Sequence, residues 1–356
     1  METKRIAYID AMRGFTMILV VYSHICGFCL GDTQMGYNDV FFLFRLPCFF
    51  FISGWLFEPV SQRPFKQIAR KKFMVQIVPT FIFLLLLAPP PLFFSQLGAT
   101  KGGYWFTFAL FEFFLLYMLS IRAGRKWSGV LAVVLSFSAF CYDVFYSGFH
   151  SSSYNYHFSL FTFHFSLTDV LGFLSFMTWR YYLFFFIGAW VRRHFELFLR
   201  WTGKLTVMVA IALGFAGVAM IPHTESISLS YFVFAIGGIL GMVMIFTLFR
   251  LLYSSHFLPL TIPAGVPTRS LSRFLPLQYI GTRTLDIYLL HYFFLPRFLM
   301  SYGEQLRSYN CQPLELLFAL AVALVVVAIC LLVSYVIRLS PFLGHYLFGV
   351  KYEKQE

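Results

Sequence analysis

Ten stretches of this sequence stay apolar for about 20 residues at a time, the length a helix needs to cross a hydrocarbon core. They lie near 14–30, 40–57, 73–94, 104–121, 127–146, 175–191, 205–221, 229–249, 278–296 and 314–336. Composition agrees: only 12% of residues are charged and 59% are hydrophobic, whereas a soluble chain carries roughly 25% charged residues. The 48 phenylalanines suit lipid-facing and helix-packing surfaces and name no activity. The expected fold is all-α, a polytopic membrane bundle of about ten transmembrane helices forming a single domain over residues 1–356. No internal repeat, low-complexity tract or long polar linker marks off a soluble module. The first apolar run leads into many others and lacks a small-residue cleavage site, so it is not expected to be a removable signal peptide.

The placement of charge gives an orientation. Lys4, Arg5 and Arg13 precede or open the first span, and Arg63, Lys66, Arg70, Lys71 and Lys72 follow the second. Arg122, Arg125 and Lys126 follow the fourth span, Arg192, Arg193, Arg200 and Lys204 the sixth, and Arg250, Arg269 and Arg273 the eighth. With Arg338, Lys351 and Lys354 in the tail, 21 of the 27 basic residues fall on one side of a ten-span map. The opposite loops hold Lys101, Arg297 and Arg307, together with Asp32, Asp39 and Asp169. Basic residues mark the cytoplasmic side, so both termini are expected there. The net charge of +12 is then mostly a topology signal rather than a nucleic-acid footprint, and no nucleic-acid partner is expected. Cys26, Cys29, Cys48 and Cys330 lie within apolar segments, which fits packing and not a disulfide framework.

Ionisable groups inside a span are expensive, so each is a functional candidate. His24 lies in the first span, eleven residues after Arg13. Eleven steps of 100° leave an offset of about 20°, so the two share one helical face, roughly 16 Å apart in rise. The functional reading sets a permanent cation at the cytoplasmic mouth with an imidazole at membrane depth above it. The bland reading has Arg13 anchoring the helix and His24 hydrogen-bonding a neighbour. Glu112 in the fourth span has to be protonated, paired or in a wet cavity, and it can be catalytic or simply paired with a buried arginine such as Arg45. Arg45 can hold an anion or an acidic partner bidentately. In the ninth span Tyr288 and His291 share a face at i and i+3, whereas Asp286 does not. His150, His157 and His164, spaced by seven in an aromatic-rich loop near 147–174, have no close carboxylate. A packed cap or an aromatic platform for a sugar ring suits them better than metal, and no metal is expected.

These residues together resemble the acyltransferase-3 family of bacterial membrane proteins. Tyr8-Ile9-Asp10-Ala11-Met12-Arg13-Gly14 followed by His24 matches its Arg-x10-His pattern, and Phe49-Phe50-Phe51-Ile52-Ser53-Gly54-Trp55 is similar to its FF-x-x-SG signature. Basic residues leading to Val78-Pro79, then Trp105-Phe106 ahead of Glu112, then Ile287-Tyr288-Leu289-Leu290-His291, follow in the family's order. Two positions depart from the pattern: Arg45 stands where a histidine is frequent, and Gln76 where a second arginine is usual.

The resemblance implies transfer of an acyl group, usually acetyl, from cytoplasmic acyl-CoA to a hydroxyl of a cell-surface glycan or glycolipid, in a bacterial inner membrane. Acyl-CoA is then a co-substrate, with no bound cofactor. CoA is polyanionic, so Arg13, Arg70, Lys71 and Lys72, with Ser53 of the signature, are the expected donor contacts. His24, Glu112 and His291 are the expected catalytic residues, and Asp10, Arg45, Trp105 and Tyr288 are expected to line the site. His24 would act as general base or form an acyl-histidine. The rival reading is a transporter or flippase, which predicts paired repeats or broken spans in two halves; the sequence has none.

Overall fold

The structure, a computed structural model, describes residues 6–88, 101–149, 174–221, 227–254 and 275–350. Among these the regular structure is all helical. Five helices are long and apolar enough to cross a membrane: Ala7–Cys29, Met35–Val60, Trp105–Ala123, Leu229–Tyr253 and Gln312–Arg338. The pair Phe195–Thr202 and Leu205–Ala219, bent by 82°, makes a sixth if it is one span. Helix also covers Phe65–Leu87, Arg125–Phe149 and Tyr182–Arg193, within or beside other expected spans. The histidine-bearing loop expected near 147–174 lies almost wholly outside the described residues, and all three of its histidines do.

Eight helices position the candidate residues. Of these, α1 is Ala7–His24, α2 is Asn38–Phe57, α3 is Phe65–Lys72 and α4 is Val78–Leu87. Further along, α5 is Trp105–Ala123, α6 is Tyr182–Arg193, α7 is Leu275–Thr282 and α8 is Thr284–Leu290.

The ninth expected span is not one continuous helix. It breaks at Arg283, whose backbone sits at φ −112°, ψ 16°, and it tightens to a 3₁₀ turn over His291–Phe293. Gly281, Thr282 and Thr284 are weak helix formers, and Thr282 Oγ1 turns back onto the Tyr279 carbonyl at 2.8 Å. The basic run expected in the second loop is itself helical, with Arg70, Lys71 and Lys72 in the last turn of α3. Two π-turns interrupt the α-helical register. One, Ile25–Cys29, follows His24 directly. The other, Phe73–Ile77, joins α3 to α4 just before Pro79, which has no N–H to continue the ladder. Such single π-turns are frequent at functional sites.

The chain packs as two compact units. The first holds residues 1–52, 195–222 and 233–335. Its core rests on α1, which buries Tyr8, Ile9, Met12, Met17 and Tyr22 among others. Tyr8 and Phe51 both meet the edge of Phe246, at centroid distances of 5.7 and 5.6 Å. Far from these contacts, Tyr22 donates to the Gly36 carbonyl at 2.6 Å, and Glu315 Oε2 accepts from the Gly36 amide at 3.1 Å. Gly36 is at φ +60°, and a Cβ there would lie 2.9 Å from the Leu316 nitrogen, so only glycine suits the turn.

The second unit holds residues 53–194, 223–232 and 336–356. The glycine of the Ser53-Gly54 motif is a packing residue: a Cβ on Gly54 would sit 1.9 Å from the Phe185 carbonyl oxygen of α6. Small residues permit such backbone approach between helices in lipid. Around that contact Phe57, Phe113, Phe114, Tyr117, Tyr182 and Phe185 form an aromatic core.

Candidate active site

Two glycines bring α1 against α7. A Cβ on Gly14 would lie 2.0 Å from the Leu277 carbonyl oxygen, and one on Gly281 would lie 1.8 Å from the carbonyl oxygen of Asp10. The backbones therefore touch, and side chains on that face of α1 reach the 275–291 segment directly. Arg13 Nη2 donates to Thr284 Oγ1 at 2.8 Å. His24 Nδ1 lies 2.7 Å from His291 Nε2. The face inferred from the eleven-residue spacing is thus a real surface, with both of its polar residues turned onto one partner segment. Asp10, on the same helix, contributes its backbone to the crossing and keeps a half-buried side chain.

The two imidazoles are nearly parallel, 7° between planes, with centroids 4.9 Å apart. A nitrogen lies on the rim of its ring, so this separation with a 2.7 Å nitrogen contact means that the rings meet edge to edge in a hydrogen bond. His291 is fully buried, and its Nδ1 lies 3.1 Å from the Ile287 carbonyl oxygen one turn back. His24 is only half-buried. Tyr292 packs on both rings, 5.1 Å from His24 and 4.1 Å from His291 by centroids, and Tyr288 is 6.0 Å from His291. Arg45 lies close enough for its charge to act on His24. It is 8% exposed, donates to Asn38 Oδ1 at 2.8 Å and sits 5.3 Å from the Phe42 ring centroid.

The remaining candidates belong to the second unit. Glu112 accepts a hydrogen bond from Trp179 Nε1 at 3.1 Å and interacts electrostatically with Lys101. Lys101 is fully buried, with a left-handed backbone at φ 46° and its ammonium 5.4 Å from the Phe108 ring centroid. Burial pushes that ammonium down from an ordinary 10.5 to about 8, and the Glu112 carboxylate opposes the shift. Trp105 stacks on Tyr181 at 5.8 Å. Arg70 and Lys71 are exposed, whereas Lys72 is half-buried, its Nζ 3.8 Å from the centroid of Phe114. Lys72 is therefore committed to an aromatic face as well as being a candidate donor contact. Ser53 is half-buried beside the Gly54 packing contact. Gln76, inside the second π-turn, has a buried Oε1 with no hydrogen-bond partner among the described residues.

Three features were not anticipated. Thr284 is neutral, so no sequence rule marks it as the partner of Arg13. Lys101 is one of the few basic residues that the ten-span map leaves off its basic side, and a carboxylate in an apolar helix wants a nearby cation. Glu58, Tyr117 and Arg193 form a polar cluster: Arg193 Nε donates to Glu58 Oε1 at 3.0 Å and Arg193 Nη2 to the Tyr117 hydroxyl at 2.7 Å, while that hydroxyl donates to Glu58 Oε2. Glu58 is buried and Arg193 half-buried, so the carboxylate is held by two donors at the edge of the aromatic core.

No curated protein and no solved structure matches the chain significantly. The family match is to a transferase and gives the transporter reading no support. The acyltransferase-domain family model (Acyl_transf_3) aligns with residues 6–335, which takes in both α1 with Arg13 and His24 and the segment that carries Thr284 and His291, so this multi-helix membrane protein belongs to that acyltransferase family.

Proposed function

We propose that this protein is a membrane O-acyltransferase that moves an acyl group, acetyl in the first instance, from cytoplasmic acyl-CoA to a hydroxyl of a cell-surface glycan or glycolipid precursor. The observation that carries the reading is the pairing of α1 with the 284–291 segment, which holds a cation, Arg13, and a hydrogen-bonded imidazole, His24, along one helical face. In this reading Arg13 receives a CoA phosphate and the thioester lies along α1 toward His24. Within the second unit, the exposed Arg70 and Lys71, with Lys72 and Ser53, are the further donor contacts that the family resemblance implies. His24 takes the acceptor proton as the hydroxyl attacks the thioester carbonyl. Arg45, a buried cation of the same unit whose charge reaches His24, is suited to the negative charge that develops on that carbonyl oxygen. Within the second unit, Glu112, Trp105 and Trp179 offer the polar and aromatic surface that a polyhydroxyl ligand uses.

The topology that goes with this reading has ten spans and both termini in the cytoplasm of a bacterium, the protein residing in the inner membrane. It rests on the segregation of basic residues to one side of the ten-span map. The test is release of free CoA from acetyl-CoA by purified protein, with and without candidate glycans. Glycan-dependent release supports the reading. If CoA release is no faster than without enzyme for acetyl, succinyl and longer donors on every acceptor class, the reading fails.

A further inference from the structure

The hydrogen bonds of His291 determine which nitrogen of His24 can act as a base. A carbonyl oxygen only accepts, so the 3.1 Å contact to Ile287 puts a proton on His291 Nδ1. In a neutral His291 the other nitrogen, Nε2, then carries a lone pair, and it faces His24 Nδ1 at 2.7 Å. His24 Nδ1 is therefore the donor, and the lone pair of a neutral His24 is at its own Nε2. That nitrogen makes no hydrogen bond among the described residues. The reverse assignment needs protons on both nitrogens of His291, a ring with 0% exposure, and an ion held there carries a heavy desolvation cost.

We propose that His291 is a positioning residue: anchored by the Ile287 carbonyl, it holds His24 in the Nδ1–H tautomer, with Nε2 free to act as the general base. The assignment of a base rests on the acyl-transfer reading; the tautomer itself does not. In the reaction the acceptor oxygen bonds to the thioester carbonyl carbon as its proton passes to His24 Nε2. The carbon–sulfur bond then breaks, and the same proton leaves with the thiolate as CoA thiol. His24 ends as it began. His291 exchanges no proton; it keeps accepting from Nδ1–H and stabilises the transient imidazolium. The other polar and charged groups around the pair are Arg45, Tyr292 and Tyr288.

Two measurements test this. Nitrogen-15-labelled histidine in protein held in nanodiscs reports which ring nitrogens are protonated near neutral pH, and His24→Gln identifies the His24 signals among the nine histidines. The parent should show His24 protonated at Nδ1 and bare at Nε2, and His291→Leu should release it to the Nε2–H form that free imidazole side chains favour. In single-turnover transfer, His291→Leu should lower the rate by about 10²-fold or more, with His291→Gln, whose amide oxygen can accept from Nδ1–H, within about tenfold of the parent. The acyl-CoA KM should stay within about twofold in both, since the lost interaction belongs to the transition state. His24 protonated at Nε2 in the parent, or Gln and Leu variants with equal rates, would overturn the proposal. A parent with the expected tautomer and no acyl transfer would instead overturn the reading of the reaction and leave the hydrogen-bond relay standing.

Discussion

Arg13 and Thr284 are joined by a 2.8 Å hydrogen bond across 271 residues of chain, which ties the cation of the first helix to the start of the short helix that ends beside His291. A threonine hydroxyl accepts one donor of a guanidinium and does not itself neutralise the charge. Arg13 is half-buried. The Thr284 contact thus fixes the direction of the guanidinium at the start of α8. Arg13→Ala should therefore weaken acyl-CoA binding by roughly 10- to 100-fold, the scale of one charge-assisted hydrogen bond, with folding largely kept. Calorimetric titration of CoA checks this. An Arg13→Ala protein that binds CoA like the parent yet transfers no acyl group would take Arg13 out of the donor site.

His24 should behave as chemistry and not as packing. Gln or Asn keeps one hydrogen bond to the His291 side and cannot take a proton near neutral pH. His24→Gln should lower single-turnover acyl transfer by about 10²–10⁴-fold, the usual contribution of a general base, while CoA still binds. A rate within about threefold of the parent would remove His24 from the mechanism and turn attention to Glu112.

The glycine contact between α1 and α7 should be intolerant of a single methyl group. At Gly14 the obstructing atoms are the backbone of Leu277, which cannot swing aside as a side chain can. Gly14→Ala should destabilise by about 1–3 kcal/mol or more, as overpacking does. Gly217→Ala is the matched control, because nothing lies within 4 Å of its Cβ. That change should be neutral or stabilise the helix by about 0.5–1 kcal/mol. Thermal unfolding in detergent compares the two, and equal shifts would argue against the close approach.

Lys101 supplies a pH signature. Its ammonium is held near 8 when folded, against an ordinary 10.5. Between those values the unfolded chain binds more protons than the folded one, so stability should rise as pH increases through that window. Below pH 8 both states are protonated and this contribution is flat. Lys101→Met should lose the rise. Unfolding temperatures from pH 7 to 10.5, parent against variant, measure it; identical profiles would mean that Lys101 is not held in a dry site.

Cys311 gives a direct test of orientation. It is an exposed native thiol preceding the last long helix, whereas Cys26, Cys29, Cys48 and Cys330 are buried, and the half-buried Cys141 is changed to serine for the test. On the ten-span map it faces away from the cytoplasm. A membrane-impermeant maleimide should label it from outside intact spheroplasts. Protection outside, with labelling only after the membrane is opened, would invert the map.

The spacing of Arg13 and His24 was readable because helical geometry alone puts both on one face, and the structure turns both toward the same segment. Their partners were not readable as partners. Pairing across 267 and 271 residues depends on which helices pack together, and one sequence does not encode that choice visibly. His291 could be flagged because an ionisable group in a span is costly, whereas Thr284 carries no such mark. The FF-x-x-SG signature was visible as a pattern, but the reason for its glycine is the Phe185 carbonyl lying against it. The π-turns at Ile25–Cys29 and Phe73–Ile77 depend on hydrogen-bond register and leave no trace in hydropathy. A carboxylate at Glu112 needs a partner on sequence grounds alone, and Trp179 and Lys101 supply its interactions from another helix and a loop.

The distance in chain between His24 and His291 also sets an order of events during synthesis. At 5–20 residues per second, the 267 residues between them take roughly 13–53 s to make. The first helix therefore enters the bilayer long before α8 exists. For that interval Arg13 and His24 must be accommodated by water, lipid headgroups or the insertion machinery. A nascent chain arrested ahead of residue 275 would carry the cation and the imidazole in place, with neither of the hydrogen bonds that join them to the 284–291 segment.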